Sequence, residues 1–263
     1  MLRSLLFVPG SRPDRFEKAL AAGASRVIID LEDAVAPDAK EASRRAVADW
    51  LAPERPVMIR INGADTPWFD ADLALSGHPG VIGVVLPKAE DPAVIARVVR
   101  SGARMVVPII ETGAGFIGLP AIAGAPSVAA LAFGSVDLER DLGMHDPRED
   151  ELLPFRLQLV IASRFARISP PIDGVTVAID DEASLRADAQ RARRLGFGGK
   201  LCIHPRQVPD VNRALAPSAD ERAWALRVVE AARRAGDGVV TLDGKMIDRP
   251  VVLQAEAILD GTG

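Results

Sequence analysis

Eight short apolar runs, each followed by a helix-like stretch, constrain the fold of this 263-residue chain more than any other feature. Each run ends in a polar cluster, a pattern typical of repeated strand–helix units. From the second run onward, successive runs begin 23 to 31 residues apart, except for one step of 45 residues. The usual step accommodates one strand, one helix and two loops. The predicted strands are Leu5–Val8, Arg26–Asp30, Val57–Ile61, Ile82–Leu86, Met105–Ile110, Ala129–Phe133, Gly174–Ala178 and Lys200–Ile203.

Eight alternations of this kind predict an α/β fold, a TIM (β/α)8 barrel. A doubly wound open sheet is the alternative, because periodicity alone does not show whether a sheet closes. We expect residues 1–216 to form the barrel. Residues 217–263 should form a C-terminal helical extension of the same domain, covering the mouth of this barrel or of a neighbour's. The long step, Asp137 to Asp173, is interpreted as an elaborated loop after the sixth strand.

Charge and composition exclude several classes of protein. The chain has 32 basic and 36 acidic residues and a net charge of −4, so no overall positive field attracts a nucleic-acid backbone. The N-terminal apolar run is too short for a signal sequence, and no later run reaches the roughly 18 residues of a membrane span. We therefore expect a soluble, cytoplasmic protein. Cys202 is the only cysteine, which excludes an internal disulfide and a cysteine-based zinc cluster.

Acidic residues follow several predicted strands at their carboxyl ends. Glu32 and Asp33 come after the second strand, Glu111 after the fifth and Asp137 after the sixth. These ends converge at one mouth of a barrel, where buried carboxylates repel each other unless a cation neutralises them. Hard oxygen ligands suit Mg²⁺, or Mn²⁺. We predict that Glu111 and Asp137 bind the metal; alternatively, each pairs with an Arg or caps a helix.

Arg60, at the end of the third predicted strand, is a candidate substrate-binding residue. Its planar guanidinium could donate two hydrogen bonds to a substrate carboxylate or stabilise an enolate oxygen. A structural ion pair with Asp30 or Glu32 explains Arg60 equally well. Lys88, after the fourth strand, is interpreted as a solvated charge.

A basic cluster surrounds the turn after the first strand. Arg12, Arg15 and Lys18 lie next to the start of a predicted helix, where phosphate can bind. The alternative is a simple turn followed by a solvated helix face. Residues 196–200 are Gly-rich but lack the P-loop spacing. Without a Gly-x-Ser-x-Gly motif, His204 does not indicate a serine hydrolase.

Seven ordered motifs make the chain resemble the citrate lyase β-subunit family. This family lies within the HpcH/HpaI aldolase group, which also includes malyl-CoA and citramalyl-CoA lyases. The resemblance covers nearly the whole chain. Its motifs are LFVPGSRPDRFEKAL, VIIDLEDAVAPDAK, RIN at 60–62, LPKAE at 86–90, IIET at 109–112, FGSVDLERDLG at 133–143, and GFGGKLCIHPRQV.

The resemblance implies a TIM barrel and specific roles for residues at its mouth. It implies that Glu111 and Asp137 bind Mg²⁺. Glu32 and Asp33 are expected to hold water molecules bound to the metal, and Arg60 is expected to contact the keto-acid or enolate oxygen.

The resemblance also implies a role for Asp248 in the C-terminal extension. Asp248 is expected to be a general acid or base, often in a neighbouring subunit's site; the alternative is a helix N-cap in a surface tail. Arg12, Arg15 and Lys18 are expected to contact phosphates of CoA. The family also leads us to expect a homo-oligomer, specifically a trimer.

The expected function is a Mg²⁺-dependent carbon–carbon lyase. Its substrate would be a carboxylated 3-hydroxyacyl-CoA, such as citramalyl-, malyl- or citryl-CoA, cleaved to an acyl-CoA and a 2-keto acid. One alternative is a citrate lyase β subunit that uses an acyl-carrier thioester. Others are a 2-keto-acid aldolase that does not use CoA and a non-catalytic scaffold. Departures from the family pattern at 113–116 and 154–158 leave the acyl group open.

Overall fold

The computed structural model describes residues 2–235 and 240–261 and contains a closed barrel of eight parallel strands. Each strand pairs with the next along the chain, and β1 also pairs with β8, with Leu5 opposite Leu201. This closure confirms the barrel and rejects the open sheet. The strands are β1 (Ser4–Pro9), β2 (Arg26–Asp30), β3 (Val57–Arg60), β4 (Val81–Leu86), β5 (Val106–Ile110), β6 (Ala132–Phe133), β7 (Ile172–Asp173) and β8 (Gly199–Cys202).

Helices follow the strands and form the outer layer, and two more helices follow the barrel. Those after the first four strands are α1 (Phe16–Leu20), α2 (Lys40–Trp50), α3 (Phe69–Leu73) and α4 (Pro92–Arg100). Those after β5 and β6 are α5 (Gly113–Ile117), α6 (Leu119–Ala123), α7 (Ser135–Asp141) and α8 (Leu153–Ala166). The remaining helices are α9 (Glu182–Leu195), α10 (Gln207–Ala214), α11 (Ala219–Ala235) and α12 (Arg249–Leu259).

Alternation along the strands divides the core into two layers. Leu5, Ile28, Met58 and Val85 belong to a cluster of buried side chains inside the barrel. Their strand neighbours, such as Leu6, belong to a larger cluster shared with the helices. Because both faces of each strand are buried, the strands read as continuous apolar runs in the sequence.

The sixth and seventh strands differ from the prediction. The ladder of β6 begins only at Ala132, although Ala130 and Leu131 are also buried. The predicted strand Gly174–Ala178 was wrong, because β7 is Ile172–Asp173. The later valines, Val175 and Val177, line a cavity at the strand ends instead. Apolar residues that face a cavity give the same sequence signal as residues that face a core.

The segment after β8 forms a small unit with its own apolar cluster. The strands β9 (Val240–Leu242) and β10 (Lys245–Ile247) form an antiparallel hairpin between α11 and α12. Ala225 and Val228 of α11 pack with Ala255 and Ile258 of α12. Within the described part of the chain, no helix is long and apolar enough to cross a membrane.

Candidate active site

The carboxyl ends of the barrel strands surround a cavity of about 430 Å³. Part of its wall is apolar, with Phe7, Ile109, Phe133, Val175 and Leu201 among the lining residues. The charged residues in its wall come from the ends of β2, β3 and β5 and from α7: Asp30, Asp33, Arg60, Glu111 and Asp137. The structure thus brings four of the nine predicted site residues into one cavity: Asp33, Arg60, Glu111 and Asp137.

Asp30, the last residue of β2, holds the following loop in a fixed shape. Its Oδ1 accepts a hydrogen bond from the backbone N–H of Glu32 at 2.9 Å, and its Oδ2 accepts one from Ala34 at 3.1 Å. The ammonium of Lys40 donates to the carbonyls of Leu31 and Glu32 at 2.8 and 2.7 Å. Glu32 and Asp33 are therefore presented by a loop that is anchored on both sides.

Arg60 is bound to three carboxylates of this loop. Its Nε and Nη2 donate to Asp30 at 2.7 and 2.6 Å, which is a two-pronged pair. Its Nη1 lies 2.9 Å from Glu32 Oε2, without the alignment of a hydrogen bond, and 3.3 Å from Asp33. The guanidinium also lies 4.7 Å from the centre of the Phe7 ring. Although burial lowers the pKa of Arg60, its hydrogen bond with Asp30 and the carboxylate charges raise it overall, so Arg60 stays cationic.

The ion pair and the substrate contact proposed for Arg60 as alternatives are compatible. Asp30 is 2% exposed and its pair with Arg60 is fixed, whereas the side chain of Asp33 is 60% exposed. The contact with Asp33 is also the longest of the three. An anionic substrate atom can therefore replace Asp33 at Nη1 while Asp30 keeps the guanidinium in place.

Glu111, the first residue after β5, is 3% exposed and points toward the position of Gly134. A Cβ at Gly134 would lie 2.4 Å from Glu111 Oε2, so only glycine leaves room for this carboxylate. Glu111 Oε1 accepts a hydrogen bond from the backbone N–H of Lys88 at 2.7 Å. Burial, followed by the charges of Glu32 and Asp137, raises the pKa of Glu111 to about 8. The protein thus holds a carboxylate where a negative charge is costly.

Asp137 lies in the first turn of α7 and not at the end of β6, as the sequence had suggested. Among the described residues, neither Glu111 nor Asp137 forms a salt bridge with a basic side chain. The alternative in which each pairs with an Arg is therefore not what the structure shows. The helix alternative is met in part, because Asp137 lies in the first turn of α7, although the N-cap residue is Gly134. Two neighbouring carboxylates without basic partners form an electrostatically incomplete site that a cation would complete.

The donor set fits Mg²⁺ better than Zn²⁺. Across residues 2–235 and 240–261, no three His, Cys, Asp or Glu side chains cluster in a way that could hold a metal by themselves. Mg²⁺ commonly uses one or two carboxylates and takes its other ligands from water and substrate oxygens. Zn²⁺ usually requires three or four protein ligands, often Cys or His. Glu111 and Asp137 are the residues that would hold Mg²⁺ here.

Lys88 contributes more to the site than its sequence context suggested. Its Nζ donates to Glu32 Oε1 at 2.7 Å. Burial lowers the pKa of Lys88, but the hydrogen bond with Glu32 and the charges of Glu32, Glu111 and Asp33 raise it overall. Its backbone has a positive φ of 47°, which is uncommon for a residue other than glycine. This conformation accompanies the N–H bond to Glu111, so Lys88 links both halves of the acidic cluster. A strained backbone of this kind has no signal in a single sequence.

The predicted phosphate-binding cluster is divided by the structure. Arg15 and Lys18 line a second cavity of about 400 Å³, which shares Phe7, Pro9 and Ile203 with the main cavity. Arg12 does not line this cavity; it forms an exposed two-pronged ion pair with Asp14.

Asp248 lies outside the cavity of its own chain. It is the N-cap of α12, and its side chain accepts a hydrogen bond from the backbone N–H of Val251 at 3.2 Å. The Asp248 carboxylate is therefore not part of the wall of the active-site cavity in its own chain. The helix-cap alternative describes Asp248 within one chain, and its action in a neighbouring subunit stays a prediction.

Comparison with known proteins identifies the family. The sequence profile of the HpcH/HpaI aldolase/citrate lyase family matches residues 3–205, which include the whole barrel. The chain belongs to the HpcH/HpaI aldolase/citrate lyase family. This confirms the resemblance seen in the sequence motifs.

Several members of the HpcH/HpaI family are similar over their full length. A citrate lyase subunit beta-like protein of Mycobacterium tuberculosis is 38% identical, over 98% of this chain and 94% of that protein. A (3S)-malyl-CoA thioesterase of Cereibacter sphaeroides is 33% identical, over 97% and 95% of the two chains. The crystal structure of CitE from M. tuberculosis with magnesium, acetoacetate and coenzyme A superposes with a TM-score of 0.87 at 36% identity, covering 99% and 98% of the two chains.

Proposed function

We propose that this protein is a Mg²⁺-dependent carbon–carbon lyase that cleaves a carboxylated 3-hydroxyacyl-CoA into an acyl-CoA and a 2-keto acid. The observation that carries the proposal is the pair Glu111 and Asp137, two carboxylates without basic partners in the same cavity as the anchored Arg60. A cation bound to the pair would leave coordination positions for the carboxylate and adjacent oxygen of a keto acid. Citramalyl-, malyl- and citryl-CoA all carry a hydroxyl group next to a carboxylate, and cleavage converts that hydroxyl oxygen into the keto oxygen of the product.

Arg60 supplies the electrostatic part of the chemistry. Breaking the carbon–carbon bond leaves the electron pair on the acyl-CoA fragment as an enolate, whose oxygen becomes negative. A guanidinium already held by Asp30 needs no reorganisation to stabilise that charge. Mg²⁺, when bound, would supply Lewis acidity at the keto-acid half.

Protonation of the enolate carbon and removal of the hydroxyl proton require a general acid and base. Glu32 and Asp33 lie beside Arg60, and burial raises the pKa of Glu32. We assign these two residues to ordering water in the site, and we assign the proton transfer to Asp248 of a neighbouring copy. This assignment requires a homo-oligomer, because Asp248 is not in the cavity of its own chain.

The second cavity supports a CoA thioester as substrate. Arg15 and Lys18 place two cations in a cavity that adjoins the main cavity and shares Phe7, Pro9 and Ile203 with it. The similar M. tuberculosis CitE structure contains magnesium, acetoacetate and coenzyme A together. An aldolase acting on a free keto acid would have no use for this cavity.

The decisive experiment is a substrate panel with separate detection of the two thioester products. Citramalyl-, malyl- and citryl-CoA are each incubated with the purified protein and Mg²⁺, and then with EDTA. Acetyl-CoA and the keto acid are measured by mass spectrometry, and free CoA is measured by its thiol. Acetyl-CoA and a keto acid formed in equal amounts, only with Mg²⁺, would support the lyase.

Other results would replace the proposal with defined alternatives. Release of free CoA without acetyl-CoA would indicate thioester hydrolysis, the activity named for the C. sphaeroides relative. Retroaldol cleavage of a free hydroxy-keto acid that survives Arg15→Glu with Lys18→Glu would indicate a CoA-independent aldolase. No cleavage of a CoA thioester, with cleavage of the acyl-carrier thioester, would indicate a citrate lyase β subunit.

A further inference from the structure

Two adjoining cavities lie at the opposite end of the barrel, where the strands begin. The first, about 560 Å³, is bordered by residues that precede or start β1, β2, β5, β7 and β8 and by the end of α12. The second, about 1120 Å³, lies between the barrel helices and the C-terminal helices α11 and α12. They share Arg164, Pro170 and Arg193 as lining residues. The two cavities form one groove, which we call the tail groove.

The tail groove is strongly basic, although the chain as a whole has a net charge of −4. Its only lining carboxylates among the described residues are Glu221 and Asp260. The basic side chains that line it are Arg3, Arg26, Arg164, Arg193, Arg194 and Arg213. Six guanidinium groups against two carboxylates give this wall an excess of positive charge in an acidic protein.

Most of these arginines are not neutralised by the protein. Arg193 is paired with Glu221 at 2.9 Å, and Arg213 is paired with Asp210. No salt bridge joins the other four arginines of the groove to an acidic side chain within residues 2–235 and 240–261; these are Arg3, Arg26, Arg164 and Arg194. The side chain of Arg26 donates to the backbone carbonyl of Ser25 and not to a carboxylate of the described residues.

Arg3 provides a second, independent observation. Its Nε is buried and has no hydrogen-bond partner among the described residues. A buried donor without a partner costs stability. Arg3 itself is only partly buried and lines the groove, so an anionic ligand there would neutralise its charge and offset this cost.

We propose that the tail groove binds a small multivalent anion that carries phosphate or carboxylate groups. Guanidinium groups match both anions because they can donate two parallel hydrogen bonds to a pair of oxygens. The volume of the groove accommodates a ligand up to the size of a nucleotide. The wall formed by Gln254, Ala257 and Ile258 belongs to α12, so the ligand contacts both the barrel and the C-terminal extension. Binding therefore fastens α12 against the barrel, at the end remote from the active site.

The test uses pyrophosphate as the phosphate probe and citrate as the carboxylate probe, both in EDTA. Affinity is measured by isothermal titration calorimetry on the full chain, and the position is measured by amide hydrogen exchange in α12. The test variant is Arg164→Gln with Arg194→Gln. The matched control is Arg100→Gln with Arg233→Gln, which removes the same charge from exposed helix positions outside the groove.

The proposal expects at least one probe to bind the wild-type protein and the control with the same affinity and to slow exchange in α12. Loss of two charge-assisted hydrogen-bond donors should weaken that binding by about tenfold or more in the test variant. The probe that binds more tightly identifies the ligand as phosphate-based or carboxylate-based. Equal affinity in the test variant and the control would overturn the proposal, as would binding that leaves exchange in α12 unchanged or no binding of either probe.

Discussion

The two ends of the barrel have opposite charge and different construction. At the carboxyl end, five carboxylates lie around Arg60 and Lys88, and the buried carboxylates Asp30 and Glu32 hold these two cations in short contacts. At the amino end, arginines predominate, and several are exposed without an acidic partner. The first arrangement fixes side chains before a substrate arrives, as catalysis requires. The second leaves side chains free to adapt, which suits binding but not chemistry.

The largest effect should come from removing the carboxylates without basic partners. We expect Glu111→Gln and Asp137→Asn each to lower kcat/KM by about a thousandfold or more, since Mg²⁺ binding and its Lewis acidity depend on both. Mg²⁺ titration by calorimetry and steady-state kinetics with the cleaved thioester measure the two effects together. Asp141→Asn is the matched control, because Asp141 lies on the same helix as Asp137, outside the cavity, and accepts a hydrogen bond from the backbone N–H of Gly113. Undiminished turnover in either metal-site variant would contradict the assignment.

Arg60→Gln should give the next largest loss. Removing a preorganised donor costs about a hundredfold to a thousandfold in kcat, and leaving Asp30 without its partner destabilises the fold by about 3–5 kcal/mol. Arg44→Gln is the control, because it breaks another buried pair, with Asp72, outside the cavity. Urea unfolding should show a stability loss in both variants, and kinetics a kcat loss only in Arg60→Gln. Equal kcat in the two variants would mean that Arg60 is purely structural.

The barrel end that carries the site was the more predictable one. The apolar runs located β1 to β5 and β8 because each strand is buried on both faces, and Glu32, Asp33 and Glu111 followed directly from where strands end. Asp137 lies instead in the first turn of α7. The shift of β7 to Ile172–Asp173 was not predictable, because a valine facing a cavity looks like one facing a core.

Site details that depend on conformation were also hidden in the sequence. The positive φ of Lys88 and the room for Glu111 at Gly134 depend on close approach between segments far apart in the chain. The arginines of the tail groove are spread along the sequence from Arg3 to Arg213, so no local cluster of basic residues predicts the groove. The roles predicted for Glu111, Asp137 and Arg60 stay predictions, as do those for Glu32, Asp33 and Asp248.

Asp248 tests whether the C-terminal extension serves the carboxyl end at all. As an N-cap, it should tolerate serine, whereas Asp248→Ala should cost about 1 kcal/mol of stability. If Asp248 transfers protons in a neighbouring copy, Asp248→Ser and Asp248→Ala should both lower kcat by about a hundredfold, because neither retains a carboxyl group. Thermal unfolding should therefore show a stability loss only in Asp248→Ala, whereas steady-state kinetics should show a lower kcat in both variants. Normal turnover in Asp248→Ser would mean that Asp248 acts only as the N-cap of α12 and not as a proton-transfer residue.

The smallest expected effect is a pH dependence of protein stability that arises from the carboxylates at the carboxyl end of the barrel. The pKa of Glu111 is about 8 in the folded protein, against an ordinary value of 4.5. Between these values the folded state holds a proton that the unfolded chain has released, so the stability of the metal-free protein should fall as pH rises through this window.

Urea unfolding in EDTA between about pH 5 and pH 8 measures that slope, and Glu111→Gln should flatten it. Asp141→Asn, outside the cavity, should leave it unchanged. Mg²⁺ requires the ionised carboxylate, so its stabilising effect should increase with pH, in the direction opposite to the metal-free slope. In EDTA, the wild-type protein and Glu111→Gln could lose the same unfolding free energy between about pH 5 and pH 8. That result would contradict the prediction, because it would mean that Glu111 is already ionised without metal. Any remaining loss of stability with rising pH would then be assigned to Glu32. Glu32 is the neighbouring carboxylate, and burial raises its pKa as well.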